Sequence, residues 1–321
     1  LKYGMKCLIV GGSGQFGITL SKILNKKKNY KIDITTRSIS KAKSKLKKYR
    51  LKKVRLIKLN ILNKNQILKI LNKRYDYIFY FAGQSSPDLS FKKINQTLES
   101  NYLGCKNFLE VLKYLNLNTK FFNSSSSEIF SDTKKKLNIV SKKKPISPYG
   151  RSKLLSFNLT KKFRKIYKLK TYNLVLFNSE SYFREKKYLI PKICLAAINA
   201  KNSNKITGFG KLDVIREWNW CEEQCNLILN CMFKKPNDFI LSNGKEYSGY
   251  QMLKYAFNYF KLDYKKYVKI EKKFYRKKDF KLKRSNFRKN INQINPSWKP
   301  KIYGKILIYK LIRYYQKNKI I

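Results

Sequence analysis

Gly11-Gly12-Ser13-Gly14-Gln15-Phe16-Gly17 lies between an apolar run, Cys7–Val10, and an amphipathic segment, Gln15–Leu24. Glycine is required where a turn is tight, where the backbone approaches a pyrophosphate and where a helix packs closely on a strand. The free N–H groups at the start of a helix then bind the anion. This stretch therefore predicts a strand, a turn and a helix that hold a dinucleotide, with contacts from Gly11, Gly14, Gln15, Phe16 and Gly17.

Short apolar runs alternate with helical segments through the first half of the chain, and the alternation becomes irregular after Phe177. Such alternation predicts a parallel sheet with helices on both faces. We therefore predict an α/β protein, a doubly wound Rossmann sheet with a smaller C-terminal substrate-binding lobe. Residues 1–177 form the cofactor-binding domain with the catalytic residues, and residues 178–321 mainly form the lobe, with room for excursions back to the sheet. The predicted strands are Cys7–Val10, Lys31–Thr35, Val54–Leu59, Tyr77–Phe81, Lys120–Asn123 and Thr171–Phe177.

The end of the second predicted strand, Thr35-Thr36-Arg37-Ser38, bears on the type of cofactor. NAD enzymes usually carry a carboxylate there for the ribose hydroxyls, whereas an arginine pairs with the 2′-phosphate of NADP. Arg37 therefore favours NADP. Asp33 lies earlier on the strand and is poorly placed to reverse that prediction.

Ser147-Pro148-Tyr149-Gly150-Arg151-Ser152-Lys153 has the features of a helix start, with Ser147 as the cap and Pro148 in the first turn. Tyr149 and Lys153 are four residues apart and share a helix face. A nearby ammonium favours the phenolate, which would let the tyrosine act as an acid and base. The polar run Asn123–Glu128 follows a predicted strand, where sites form in open α/β sheets.

Together with the glycine turn, these motifs resemble the extended short-chain dehydrogenases, and further stretches resemble one branch, the GDP-mannose 4,6-dehydratases. The resemblance covers nearly the whole chain. The stretches that carry it are Gly83-Gln84-Ser85, Ser90-Phe91, Asn123–Phe130, Leu176–Ser181, Gly210–Asp213, Arg216-Glu217-Trp218 and Trp298-Lys299-Pro300.

The resemblance implies that Ser126, Glu128, Tyr149 and Lys153 carry out the chemistry. Tyr149 would take the proton of the sugar C4 hydroxyl as a hydride passes to NADP⁺, while Ser126 holds the oxygen. Glu128 would then remove the C5 proton, water would leave from C6 and the hydride would return to C6. The product would be a 4-keto-6-deoxy sugar, formed in a closed site.

The resemblance also implies further binding residues. Arg37, Asn60, Ala82, Tyr149 and Lys153 would join the glycine turn around the cofactor. The nucleotide sugar would be bound by Gln84, Ser85, Asn178, Lys192, Arg216 and Arg276.

The chain departs from the family pattern at several positions. Asn60 replaces an adenine-binding aspartate, and Val10 replaces a threonine before Gly11. The arginine-rich loop after Arg37 is shortened, so we expect a homodimer, with a homotetramer as the alternative. Phe183, Glu185 and Lys277 alter substrate loops, which leaves the sugar nucleotide open.

Composition limits the other classes of function. Lysine and arginine number 74 against 18 acidic residues, a net charge of +56, but the cations are spread along the whole chain. We therefore expect attraction for anionic ligands and no specific nucleic-acid partner. The absence of histidine and the scattered cysteines predict no metal site. We also expect no signal peptide, no membrane span and a cytoplasmic location.

Three functions stay open from the sequence. The leading one is the dehydratase. A reductase or epimerase of a GDP-4-keto-6-deoxy sugar would use the same fold. A non-catalytic protein that binds NADP or RNA is the third, and the intact Tyr149/Lys153 pair is evidence against it.

Overall fold

The structure, a computed structural model, describes residues 4–27, 29–51, 53–131 and 134–320. Residues 1–3 of the predicted cofactor-binding domain and residue 321 of the predicted lobe lie outside these ranges. The strands are β1 Met5–Val10, β2 Tyr30–Thr36, β3 Val54–Lys58, β4 Tyr77–Tyr80, β5 Lys120–Ser126, β6 Thr171–Leu176, β7 Ser179–Glu180, β8 Thr207–Phe209, β9 Ile215–Glu217, β10 Asn219–Trp220, β11 Asp238–Leu241, β12 Glu246–Ser248 and β13 Val268–Ile270. The helices are α1 Gln15–Asn25, α2 Ile39–Lys48, α3 Lys64–Leu71, α4 Pro87–Lys92, α5 Ile94–Leu98, α6 Gly104–Tyr114, α7 Pro148–Ile166, α8 Leu189–Ser203, α9 Cys221–Cys231, α10 Gly249–Asn258, α11 Phe287–Asn292 and α12 Gly304–Lys317.

Seven strands form one parallel sheet in the order β11-β6-β5-β4-β1-β2-β3. The predicted Rossmann fold is confirmed, and each of the six predicted strands overlaps a strand of this sheet. The strand order reverses between β1 and β4. Ligands of open α/β sheets bind at such a point, outside the carboxyl ends of the strands.

Alternate residues of β1 bury opposite faces of the sheet, as the two-residue period of a strand requires. Cys7 and Ile9 belong to the core cluster that includes residues of α1 and α9, whereas Leu8 and Val10 belong to the cluster with residues of α3 and α6. Both faces are covered, so the strand is apolar along its length.

The part of the chain after residue 177 does not form one separate layer. Its strand β11 joins the large sheet beside β6, and its helix α9 packs on α1. Helices α8, α10 and α12 enclose a second apolar cluster. The division at residue 177 stays a prediction. No helix among the described residues combines the length and the apolar character needed to cross a membrane.

Candidate active site

A cleft of about 950 Å³ opens at the carboxyl ends of β1, β4, β5 and β6. The structure brings fifteen of the predicted site residues together in its lining. They are Gly11, Gly14, Gln15, Phe16, Gly17, Gln84, Ser85, Ser126, Glu128, Tyr149, Lys153, Asn178, Lys192, Arg216 and Arg276.

The glycine turn has the geometry of an anion cradle. Gly11 has φ +78°, a conformation that side chains other than glycine rarely adopt. A Cβ at Gly17 would lie 2.3 Å from the Cα of Gly12, so helix α1 could not start this close to the turn with a larger residue. The N-terminus of α1 faces the same cleft, and these residues fit a dinucleotide pyrophosphate.

Three predicted cofactor residues lie outside the cleft lining. Ala82 packs beneath the turn, with its backbone 2.7 Å from the place of a Cβ on Gly11. Arg37 is exposed at the end of β2. Asn60 is exposed and its side-chain oxygen accepts the N–H of Leu62 at 3.1 Å.

The Asp33 side chain forms its contacts with other residues of the protein. Its carboxylate pairs with Arg55 and accepts the Tyr75 hydroxyl at 2.5 Å. The one acidic residue of β2 is therefore engaged inside the fold.

Tyr149 and Lys153 are buried on one face of α7, whose first turn is capped by Ser147 as predicted; its side chain accepts the N–H of Gly150 at 3.1 Å. Lys153 donates its ammonium to the carbonyl of Ser124 at 2.8 Å. Burial lowers the pKa of Lys153 to about 8.

The expected lowering of the Tyr149 pKa is not seen in the protein alone. Burial raises the pKa of Tyr149 to about 12, and a hydrogen bond with Ser126 opposes that rise. The negative charge of Glu128 raises this pKa further, and the cation of Arg184 lowers it. Desolvation of the buried phenol is therefore the largest influence on this pKa.

Ser126 and Glu128 lie where β5 ends and a short 3₁₀ turn, Ser127–Ile129, begins. The Ser126 hydroxyl oxygen accepts the N–H of Glu128 at 3.2 Å. Glu128 is half-buried and lines the cleft. A carboxylate therefore lines the same cleft as the serine and tyrosine hydroxyls.

The predicted cations for the nucleotide diphosphate line the same cleft. Lys192 sits over the rings of Phe209 and Phe274, at 4.8 and 4.0 Å from their centroids. Arg216 is buried and pairs with Asp279 at 2.8 Å, and Arg276 contacts the same carboxylate at 3.3 Å. Asp279 belongs to no motif that the sequence analysis recognised, yet its carboxylate pairs with both arginines.

Several side chains of residues 179–188, which include Phe183 and Glu185 of the predicted substrate loop, line the cleft; we name these residues the cover segment. Gln15 binds it at two points, because its amide donates to the carbonyl of Ser179 at 3.1 Å and accepts the hydroxyl of Ser181 at 2.9 Å. Tyr188 hydrogen-bonds Ser85 at 2.9 Å. The guanidinium of Arg184 lies 3.5 Å from the centre of the Tyr188 ring.

Glu180 is a buried carboxyl within the cover segment. Its Oε2 has no hydrogen-bond partner among the described residues, and the Nε of Arg184 is 4.0 Å away. Burial raises the pKa of Glu180 from 4.5 to about 7, and Arg184 only partly opposes the rise. The charged form is therefore disfavoured in the folded protein.

Glu180→Gln should raise the free energy of unfolding at pH 8 by up to about 3 kcal/mol. This is the free energy that corresponds to the difference between the Glu180 pKa in the folded and in the unfolded protein. Below pH 4.5 the carboxyl is protonated in both the folded and the unfolded state, and its burial carries no charge penalty. The penalty grows as the pH rises and is complete above about 7. Urea unfolding of parent and variant between pH 4.5 and 8 measures the difference.

Glu185→Gln is the matched control, because the Glu185 side chain is 63% exposed in its pair with Lys187. It should leave the pH dependence unchanged. A parallel pH profile for parent and Glu180→Gln would show that Glu180 is ionised at little cost.

The strand order, the glycine turn after β1 and the Tyr-x-x-x-Lys helix beside the serine cluster define the extended short-chain dehydrogenase/reductase class. The model of the GDP-mannose 4,6 dehydratase family matches residues 8–311. The chain therefore belongs to this family, whose members are hydro-lyases.

Relatives agree with this assignment, and a solved structure agrees with the fold. The chain is 25% identical over 243 residues to GDP-mannose 4,6 dehydratase 1 of Arabidopsis thaliana, covering 74% of this chain and 67% of that protein. It is 26% identical over 204 residues to the GDP-mannose 4,6-dehydratase of Sinorhizobium fredii (strain HH103), covering 61% and 57%. The dTDP-glucose 4,6-dehydratase of Bacillus anthracis str. Ames, solved in complex with NAD, superposes with TM-score 0.83 at 20% identity over 99% of this chain and 98% of that one.

Proposed function

We propose that the protein converts GDP-mannose to GDP-4-keto-6-deoxymannose, with an NADP that is regenerated in each cycle. One observation carries the proposal: a carboxylate, Glu128, lines the same cleft as the buried Tyr149/Lys153 pair and Ser126. Oxidation at C4 needs only the tyrosine, the lysine and the cofactor. Removal of the C5 proton needs a further base, and a positioned carboxylate can provide it.

The residues of the chain divide the proton chemistry between them. Tyr149 takes the proton of the C4 hydroxyl, and Ser126, in hydrogen-bond contact with Tyr149, holds the substrate oxygen. Glu128 then takes the C5 proton, which the neighbouring ketone has made acidic, and the C6–O bond breaks as the C5–C6 double bond forms, so that the proton and the hydroxyl are lost together as water. Lys153 shares a helix face with the tyrosine, donates its ammonium to the Ser124 carbonyl and is assigned to the nicotinamide ribose. A nicotinamide cofactor held by the glycine turn would supply the hydride chemistry, as acceptor from C4 and as donor to C6, with a proton taken up at C5.

NADP in preference to NAD is supported by two charges near the end of β2. Arg37 is exposed and available to a 2′-phosphate, and Asp33 is engaged with Arg55 and Tyr75. A guanidinium is well matched to a phosphate group.

Arg37→Ala should weaken NADP binding by about 1.5–3 kcal/mol, the usual value of a hydrogen bond to a charged group, with little change for NAD. Fluorescence titration of both cofactors measures the two affinities. Arg288→Ala, an exposed arginine on α11, serves as control and should alter neither. Equal affinities for NADP and NAD in the parent protein would contradict the assignment.

We assign the nucleotide diphosphate of the substrate to the part of the cleft lined by three cations. Lys192, Arg216 and Arg276 supply positive charge there, and Asn178 lines the wall beside them. Asp279 offsets part of that charge and holds Arg216 in one orientation. Gln84 and Ser85 also line the cleft, on the loop after β4, where the Gln84 amide already donates to the carbonyl of Ser86 at 2.7 Å.

The experiment that tests the function is incubation of the purified protein with NADP⁺ and GDP-, CDP-, UDP- and dTDP-hexoses. We expect loss of one water from GDP-mannose, detected by mass, without net consumption of cofactor. Stoichiometric consumption of NADPH with a 4-keto-6-deoxy sugar would identify a reductase. An isomer of unchanged mass would identify an epimerase.

The same proposal covers the organisation of the protein. Residues 1–177 would hold the cofactor and residues 178–321 mainly the nucleotide sugar, in a cytoplasmic homodimer or homotetramer. Light scattering of the purified protein measures the assembly.

A further inference from the structure

A buried lysine from the C-terminal part of the chain holds the turn that carries Glu128. Lys283 is 2% exposed, and its ammonium donates to the carbonyl of Ser127 at 2.8 Å and to that of Phe130 at 3.3 Å. These two carbonyls flank Glu128 on either side. The ammonium also lies 3.6 Å from the centre of the Phe280 ring, within the range of a cation–π contact.

The same turn is held from two other directions. The hydroxyl of Ser126 accepts the N–H of Glu128 at 3.2 Å. The start of α7 presses on the opposite side, since a Cβ at Gly150 would lie 2.6 Å from the Glu128 carbonyl oxygen. The backbone of Glu128 is thus fixed between β5, α7 and Lys283, while its half-buried side chain faces the cleft.

The segment that carries Lys283 is itself anchored to β9. The N–H of Lys283 donates to the carbonyl of Ile215 at 3.2 Å, and that of Ile215 donates to the carbonyl of Lys281 at 2.8 Å. Further along, the Ser285 hydroxyl donates to the buried carboxylate of Glu217 at 3.1 Å. Because β9 also carries Arg216, one strand joins the turn of the candidate base to a candidate phosphate cation.

An aliphatic side chain of the same length could fill this space but could not donate hydrogen bonds. The ammonium donates two hydrogen bonds, which fix the carbonyls of Ser127 and Phe130 on either side of Glu128. Displacement of a catalytic group by about 1 Å lowers a rate about a hundredfold. We infer that Lys283 is a positioning residue that orients Glu128 for removal of the C5 proton of the sugar. The inference rests on the proposed dehydratase function.

The test separates proton removal from oxidation. Lys283→Met keeps the length of the side chain and removes the charge. It should slow exchange of the C5 proton with D₂O, and water elimination with it, about a hundredfold. The rate of cofactor reduction in a single turnover and the KM for GDP-mannose should stay close to the parent values. Lys283→Arg should retain more exchange than Lys283→Met, because a guanidinium can also donate to two carbonyls. Lys289→Met, on the exposed face of α11, is the control and should match the parent in every measurement.

Parental C5 exchange in a folded Lys283→Met protein, or an equal loss of exchange and C4 oxidation, would overturn the inference. If Lys283→Met does not fold, as judged by circular dichroism and cofactor binding, Lys283→Arg carries the same comparison. If Lys283→Arg loses more C5 exchange than C4 oxidation, the positioning role is supported. If it loses both equally, the role is overturned. A parent protein that eliminates water from no nucleotide sugar would refute the proposed function instead.

Discussion

Glu128→Gln should lower the rate of water elimination from GDP-mannose by about 10²–10⁴-fold, the usual contribution of a positioned base. Glutamine keeps the size and the hydrogen-bonding capacity of the side chain but cannot accept the C5 proton. Oxidation at C4 does not involve this carboxylate, so reduced cofactor should still form. Rapid-quench experiments that record nicotinamide absorbance and sugar mass together distinguish the two steps.

Glu222→Gln is the matched control, because Glu222 is exposed on α9 and lies outside the cleft lining. It should show parental elimination. Unchanged elimination in Glu128→Gln would remove Glu128 from the mechanism.

Tyr149→Phe should reduce turnover by about 10²–10⁴-fold while cofactor affinity stays near that of the parent. In the proposed mechanism the hydroxyl serves proton transfer, whereas the adenosine and the phosphates are bound by other residues. Lys153→Ala should impair both turnover and binding, since Lys153 is assigned to the nicotinamide ribose as well as to the tyrosine. Steady-state kinetics and fluorescence titration provide the two measurements.

Tyr114→Phe, at a side chain that is 79% exposed, controls for loss of a tyrosine hydroxyl and should leave both quantities unchanged. A Tyr149→Phe protein with nearly parental activity would refute the assignment of this site as a short-chain dehydrogenase centre.

The sheet and the helix starts were predictable because their signals are local. The four apolar residues Cys7–Val10, followed by the glycine turn, identify β1 and α1 without knowledge of any distant contact. The cap at Ser147 likewise depends on residues within one turn of α7. Strand β11 was missed, because its short apolar run Phe239-Ile240-Leu241 joins the sheet far from its neighbours in sequence.

Much of the site depends on partners that are distant in the sequence. Lys283 and Ser127 are separated by 156 positions, and one lysine among 74 basic residues gives no signal of its own. Arg216 and Arg276 were predicted as phosphate ligands from the resemblance, but their shared contact with Asp279 required the fold. The pKa of Tyr149 depends on burial, which a motif does not specify.

Gln15 joins the cover segment to the start of α1, next to the glycine turn that we propose for the cofactor. It lies in the first turn of α1 and forms two hydrogen bonds to residues 179 and 181. If exchange of a dinucleotide bound at this helix end requires both bonds to open, the opening costs about 2 kcal/mol, which slows exchange roughly thirtyfold. An enzyme that regenerates its cofactor in place loses nothing through slow exchange. A reductase must release its oxidised cofactor after every turnover, so the same closure would limit its throughput.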